Sequence, residues 1–381
     1  MLLLLLLLLL LLALPPLLLP FADACQPLPL DQPLAIFAPC LNLLAPAKST
    51  REVSLGRTTA EDPSLVVLPG GKAFLLQRRL VNSLFGGVYH GIEGVCSSMR
   101  DPPRFVTPSQ PEQQFHVAVK KSSLAHMRRT PQENVFREIS VMRYLAAGGS
   151  GQTGGHQFVM PLVAACMSAT HVYVVTPYCG GGDLLSMVVP GEGTGEQQAR
   201  KWFRQILLGL SYVHSMGLCH HDFSPENVVI TRMGDAAVVM DFGMVQRMRR
   251  GIDGEILPAR DEQRFGKFRY MAPEIWNIEE YDGRQIDIWS AGATLLVCLL
   301  GDYPWAAPTR IPLESQGIYS SDIYSFTNLE QHGAGVMLER LNLTSIVSAA
   351  AVDLLCQMLV VDRGLRPCSA QMLAQHAFFG A

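Results

Sequence analysis

The period of the apolar positions changes along the chain and sorts it into two regions. Between residues 74 and 92, "FLLQRRLVNSLFGGVYHGI" reads as two strand-type runs around the pair Gly86-Gly87, and "FHVAVKK" at 115–121 alternates as a further short strand. Residues 92–114, rich in turn formers, are expected to be an exposed loop. After Thr130-Pro131, a natural helix start, Val135, Ile139, Met142 and Leu145 recur at helical spacing, and the glycine-rich stretch 148–155 ends that helix. Two more strand-type stretches follow, "FVMPLVAAC" at 158–166 and "HVYVVTPY" at 171–178. Beyond Gly180 the period is helical: Glu196 to Ser215 is amphipathic, while Asp287 to Leu300 is apolar and fit for the centre of a folded body. The pattern predicts an α+β fold, with a small β-rich lobe at about 75–177 and a larger helical lobe at about 183–379.

The N-terminal stretch changes this picture. Leu2 to Leu14 form an apolar run, prolines follow at 15, 16 and 20, and Ala22-Asp23-Ala24 is an A-x-A cleavage pattern just before Cys25. Residues 1–24 are therefore expected to be a secretory signal, and the prolines argue against a stable membrane span. That places the protein in the secretory pathway or outside the cell, with a cytoplasmic location as the alternative if the leucine run is not a signal. Residues 25–74, biased towards Ala, Pro, Ser and Thr, are expected to be a poorly ordered linker. Asn342-Leu343-Thr344 is a glycosylation sequon.

With 381 residues the chain can bury a full core, and 30 Lys+Arg against 33 Asp+Glu leave a net charge of −3. No chain-wide positive field draws it to nucleic acid. The nine cysteines are scattered without the pairing or His/Cys spacing of a zinc site. Nothing in the composition indicates an oligomeric state.

Chemistry enters with three stretches: Lys120 in "VAVK", Asp222 in "LCHHDFSPENVVI", and Asp241 in "VVMDFG". With "YMAPE" at 270–274 and "DIWSAG" at 287–292, they resemble in type and order the signature of the eukaryotic protein kinase superfamily, over Leu75 to Phe379. The resemblance implies a two-lobe protein kinase fold that transfers the γ-phosphoryl of ATP to a serine or threonine hydroxyl of a protein substrate, with Mg²⁺ as cofactor. Phosphoryl transfer is mostly placement of cations and orientation of the attacking hydroxyl, which these side chains suit. By resemblance, Lys120 holds the α- and β-phosphates and pairs with Glu138, Asp222 accepts the acceptor proton, and Asn227 and Asp241 bind magnesium through hard oxygen donors. The resemblance also implies that Gly86 belongs to the phosphate-covering loop and that Val88, Ala118 and Val229 would enclose the adenine. Thr176 resembles the gatekeeper, and the hinge after it would use the Pro177 carbonyl and the Cys179 N–H. His220 and Phe242, with Met142 and Leu162, resemble the apolar column that links the lobes, and Glu274 and Arg366 a buried ion pair.

Departures from the family pattern keep a catalytically weak or inactive pseudokinase, acting as a binding scaffold, as the rival reading. Val81 and Ser83 stand where the first two loop glycines belong. Where the family has HRD this chain has His220-His221-Asp222, and where serine/threonine kinases carry lysine two residues past the aspartate it has Ser224. Lys267 replaces the threonine that precedes "YMAPE" in the family, and Asp183 and Glu226 match positions that receive a basic residue before the target site. Residues 244–271 contain no serine or threonine, so the expected arrangement needs no phosphate on this segment and holds it through Asp253, Asp261 or Glu262 against its own arginines.

Overall fold

The computed structural model describes residues 51–54, 64–68, 70–98, 104–127, 135–148, 155–303, 324–340 and 344–380, with Trp305 and Pro308. The leader, residues 25–50 of the expected linker, Thr130-Pro131 and Asn342 of the sequon lie outside the described residues.

Strands β1 (Arg51–Ser54), β2 (Ser64–Val67), β3 (Lys72–Ser83), β4 (Gly86–Ser98), β5 (Arg104–Val106), β6 (His116–Ser123), β7 (Ala164–Met167) and β8 (His171–Pro177) form one antiparallel sheet in the order β1-β2-β3-β4-β6-β8-β7, with β5 added to the end of β4. The linker expectation fails at residues 51–54 and 64–67 and from 72 onward, which form strands. Leu65, Val66 and Val67 are buried, and β2 pairs with β3 in register, Leu65 opposite Leu75 and Val67 opposite Ala73. "SLVV" is a short apolar run that becomes a strand because β3 offers it an edge, which composition averaged over the region conceals. The loop expected at 92–114 is likewise shortened, since β4 continues to Ser98 and pairs with β5.

One face of the sheet packs Val66, Phe74, Leu76, Val117, Val119, Tyr173 and Val175 together. The other meets helix α2 (Val135–Ala146), which follows the short helix α1 (Leu124–Met127) and buries Val135, Ile139, Met142 and Leu145 at the spacing read from the sequence. The expected strand at 158–166 begins only at Ala164. Upstream of it, Met160 N–H donates to Val239 O at 2.8 Å and Val239 N–H to Phe158 O at 2.9 Å, so this stretch joins the helical lobe's small hairpin instead of the main sheet.

That hairpin, after the two-residue β9 (Leu218–Cys219), is β10 (Val228–Ile230) paired with β11 (Ala237–Val239). It rests on helix α3 (Glu196–Ser215), whose Trp202, Phe203, Ile206, Leu210 and Val213 are buried. Helix α4 (Pro273–Trp276) leads to α5 (Gly283–Leu300), which is started by the Asp282 side chain accepting from Arg284 N–H and is buried from Ile286 to Leu299. The stretch α6 (Tyr324–Arg340), two helical runs broken at Gly333, α7 (Ala349–Met358) and the short α8 (Ala370–Leu373) follow in the lobe. Among the described residues no helix is long and apolar enough to cross a membrane.

Candidate active site

Lys120 lies on β6 opposite Val88 of β4, and its Nζ donates to Glu138 Oε2 of α2 at 2.9 Å. Glu138 faces the sheet because it sits one position before Ile139 on the buried stripe of α2. The same Nζ stands 4.0 Å from Asp241 Oδ1, so one ammonium bridges the sheet, the helix and the segment after β11. Burial alone would push the Asp241 carboxyl up; the Lys120 ammonium and the Gly243 N–H outweigh it and hold the group below the usual carboxylate range.

Asp222 precedes, and Asn227 ends, the turn Pro225–Asn227 that leads into β10. Asn227 Nδ2 donates to Asp222 O at 2.6 Å and to Asp222 Oδ2 at 3.1 Å, which orients the carboxylate and leaves the Asn227 amide oxygen as its acceptor face. Met240 N–H donates to Asn227 O at 2.9 Å, so the hairpin brings Asn227 and Asp241 side by side. The Asp222 carboxyl is raised by burial, opposed first by the Lys267 ammonium.

Backbone strain is concentrated here: His221 and Asp241 both take positive φ, 66° and 63°, a conformation costing on the order of 1–3 kcal/mol for a residue with a side chain. The catalytic loop is held in it by Asp287 of α5, which is fully buried and accepts from His220 N–H at 2.7 Å, His221 N–H at 2.9 Å and His214 Nε2 at 2.8 Å. His220 is packed core, its ring 5.6 Å from that of Phe242, with Met142 buried and Leu162 packed against the same core.

On the nucleotide side, Ala118 sits opposite Thr176 and Val117 opposite Pro177 in the β6–β8 register, while Val229 is half-buried on β10. The Cys179 N–H donates to no group among the described residues, and burial pushes its thiol up, keeping it protonated. The glycine-poor loop is braced instead of open. Arg79 Nη2 donates to Gly86 O at 2.5 Å, Ser123 N–H donates to Phe85 O at 2.9 Å, and Phe85 is buried. A Cβ at Gly86 would stand 2.2 Å from Lys121 O, so the retained glycine is the one that lets β4 lie against β6. Val81, in the place of a lost glycine, points outward at 58 % exposure.

Two contacts were invisible in the sequence. His221, in place of the family arginine, stacks on Phe265 with ring centres 4.7 Å apart and planes 7° from parallel, and its edge meets Tyr281. Lys267 Nζ donates to Ser224 Oγ at 2.5 Å and lies 3.6 Å from Glu226 Oε2. Both join the catalytic loop around Asp222 to the activation segment, residues 244–271, across distances along the chain at which no periodic signal operates, although Ser224 and Lys267 are both departures from the family pattern and His221 is one. The acids of residues 244–271 do not meet their own arginines as expected: Asp261 accepts from the Tyr281 hydroxyl, while Arg249, Arg250 and Arg264 donate to the carbonyls of Pro258, Gly254 and Trp276. Asp183 is engaged locally, accepting from Ser186 N–H at 2.7 Å. The Glu274–Arg366 pair is present and buried, at 2.6 and 3.1 Å.

The protein kinase domain family matches residues 108–379, and the chain belongs to that family. The match begins after the β3–β4 hairpin, where the phosphate loop departs most from the family pattern. Serine/threonine-protein kinase SAPK3 of Oryza sativa subsp. indica is 33% identical over 177 residues, covering 46% of this chain and 48% of that protein. Serine/threonine-protein kinase SRK2G of Arabidopsis thaliana is 33% identical over 179 residues, covering 46% of each. The chain thus spans about half the length of the curated relatives it matches.

Proposed function

We propose that the protein is a serine/threonine protein kinase that uses ATP and magnesium. The observation that carries the reading is the engaged Lys120, 2.9 Å from Glu138 and 4.0 Å from Asp241, because both partners must be in place for phosphate binding and transfer. A drifting scaffold has no chemical reason to keep that geometry, which weighs against the pseudokinase.

The donor set fits magnesium, a hard cation that prefers oxygen: Asp241 is held ionised, and the Asn227 amide oxygen is turned away from the bonds to Asp222. When bound, the metal supplies charge neutralisation across the phosphate oxygens. Lys120 holds the α- and β-phosphates, and the Cys179 N–H and Pro177 carbonyl meet the base. Asp222, oriented by Asn227, receives the proton of the acceptor hydroxyl as its oxygen forms the new bond to phosphorus. The bond from the γ-phosphorus to the β,γ-bridging oxygen breaks, and ADP departs with that electron pair.

Radiolabelled ATP transfer by the full chain, beside an Asp241→Ala control, tests this. Magnesium-dependent labelling of casein or myelin basic protein that the control lacks is expected; labelling equal in both ends the catalytic account. Phosphoamino-acid analysis of the product is expected to give phosphoserine or phosphothreonine.

Routing to the secretory pathway belongs to the same proposal and is supported by the Ala22-Asp23-Ala24 pattern alone. A cytoplasmic location is the alternative if the leucine run is not a signal. N-terminal sequencing of the native protein separates them: a chain beginning at Cys25 means processing.

A further inference from the structure

In the family pattern the catalytic loop carries a lysine two residues past the aspartate, and the segment before "YMAPE" carries a threonine. This chain has Ser224 at the first position and Lys267 at the second. Taken singly each is a loss. The structure shows them in contact, with Lys267 Nζ donating to Ser224 Oγ at 2.5 Å.

The contact is built into both segments. Ser224 is fully buried and preorganised by the turn that starts after it, where Asn227 N–H donates to its carbonyl at 3.0 Å. Gly266, at φ +81°, lays the backbone of the activation segment against the loop: a Cβ there would stand 3.2 Å from His221 O and 3.6 Å from Asp222 Oδ1. Its successor Lys267 therefore enters directly beside Asp222. Downstream the segment is anchored to the lobe by Ser290 Oγ donating to Tyr270 O at 2.8 Å and Trp305 Nε1 donating to Arg269 O at 3.0 Å. An ordinary ion pair with Glu226 does not account for the pose, since Glu226 Oε2 is 3.6 Å away and has no hydrogen-bond partner. Of the charges acting on Asp222, the Lys267 ammonium is the largest attractive one.

We propose that Lys267 supplies from the activation segment the cation that the catalytic loop lacks at position 224, the two segments having exchanged a lysine and a hydroxyl. Its ammonium stands beside Asp222, where the γ-phosphoryl and the acceptor hydroxyl meet, and it offsets the negative charge gathered there during transfer. Ser224 takes the complementary task, its hydroxyl oxygen fixing the ammonium. The inference rests on the phosphotransferase reading above and adds to it a residue that the family signature does not mark.

The test is a double-substitution cycle in the full chain, with Lys267→Thr, Ser224→Lys and the reciprocal exchange Ser224→Lys/Lys267→Thr, beside the conservative Lys267→Arg. Removing one preorganised electrostatic contact predicts a kcat for Lys267→Thr lower by roughly 10²–10³-fold, with KM for ATP moved by less than about threefold. Lys267→Arg retains most of the activity, and the reciprocal exchange recovers at least about tenfold over Lys267→Thr because the cation returns from the other segment. Calorimetric binding of magnesium AMP-PNP against magnesium ADP gives a readout that needs no turnover. The affinity gained from the γ-phosphoryl group shrinks at least about fivefold in Lys267→Thr and returns in the exchange. Thermal denaturation confirms that each variant is folded. A Lys267→Thr kcat within about threefold of wild type, or a reciprocal exchange no better than Lys267→Thr, overturns the proposal. A wild type that binds both nucleotides but labels no acceptor sinks the kinase reading instead, and the γ-phosphoryl increment then still decides the placement of Lys267.

Discussion

His221 offers the sharpest prediction because its ring is buried where desolvation outweighs the nearby carboxylates. It stacks on Phe265, its edge meets Tyr281, and burial lowers its pKa from 6.5 to about 4. Asp287 and Asp261 pull the value up, His220 and Arg137 push it further down, and desolvation outweighs them all. The folded protein therefore keeps the ring neutral at a pH where the unfolded chain has already protonated it. The corresponding stability is present above pH 6.5 and is lost as pH falls towards 4. The whole shift is worth about 3 kcal/mol, and about 2 kcal/mol of it is gone by pH 5. The comparison is His221→Phe, which keeps an aromatic face for Phe265, cannot titrate, and removes an Nδ1 that is buried without a partner. Urea denaturation of both proteins between pH 8 and 5 should show the variant gaining about 2 kcal/mol relative to wild type at the acid end. Parallel curves would refute the assignment of a neutral, clamped ring. They would also leave the His221–Phe265 stacking without a measured part in holding a segment, residues 244–271, that contains no serine or threonine.

Glu274→Ala leaves the buried Arg366 guanidinium without its carboxylate, so chemical denaturation should show a loss of roughly 3–5 kcal/mol; a loss under about 1 kcal/mol would mean that the pair is dispensable. Lys120→Met should lower kcat by roughly 10²–10³-fold in the radiolabel assay, because Glu138 and Asp241 then have no ammonium between them, and unchanged turnover would exclude the proposed phosphate contact. Gly86→Ala forces β4 away from Lys121 O and should destabilise the protein by roughly 1–3 kcal/mol, with a raised KM for ATP; an unchanged melting temperature would show that the strands part freely.

Within the sequence, periodicity and short spacings were enough to place α2 and its buried stripe, the apolar α5, and the strands around Lys120, because each depends on neighbours a few residues away. The meeting of Lys120 with Glu138 and Asp241, and of Asp222 with Asn227, was anticipated only through the resemblance to the kinase signature, since Lys120 and Asp241 lie too far apart along the chain for spacing to join them. What depended on partners far along the chain was beyond reach. The strand Ser64–Val67 exists because β3 presents an edge to it, and residues 158–163 leave the main sheet because Val239 offers them hydrogen bonds. The two departures at positions 224 and 267 read as separate losses along the chain. Only folding, which lays Gly266 against Asp222 and so carries the Lys267 ammonium to the Ser224 hydroxyl, turns them into one contact. Local chemistry is written in residue type and interval, whereas the meeting of distant segments is decided by how the whole core packs.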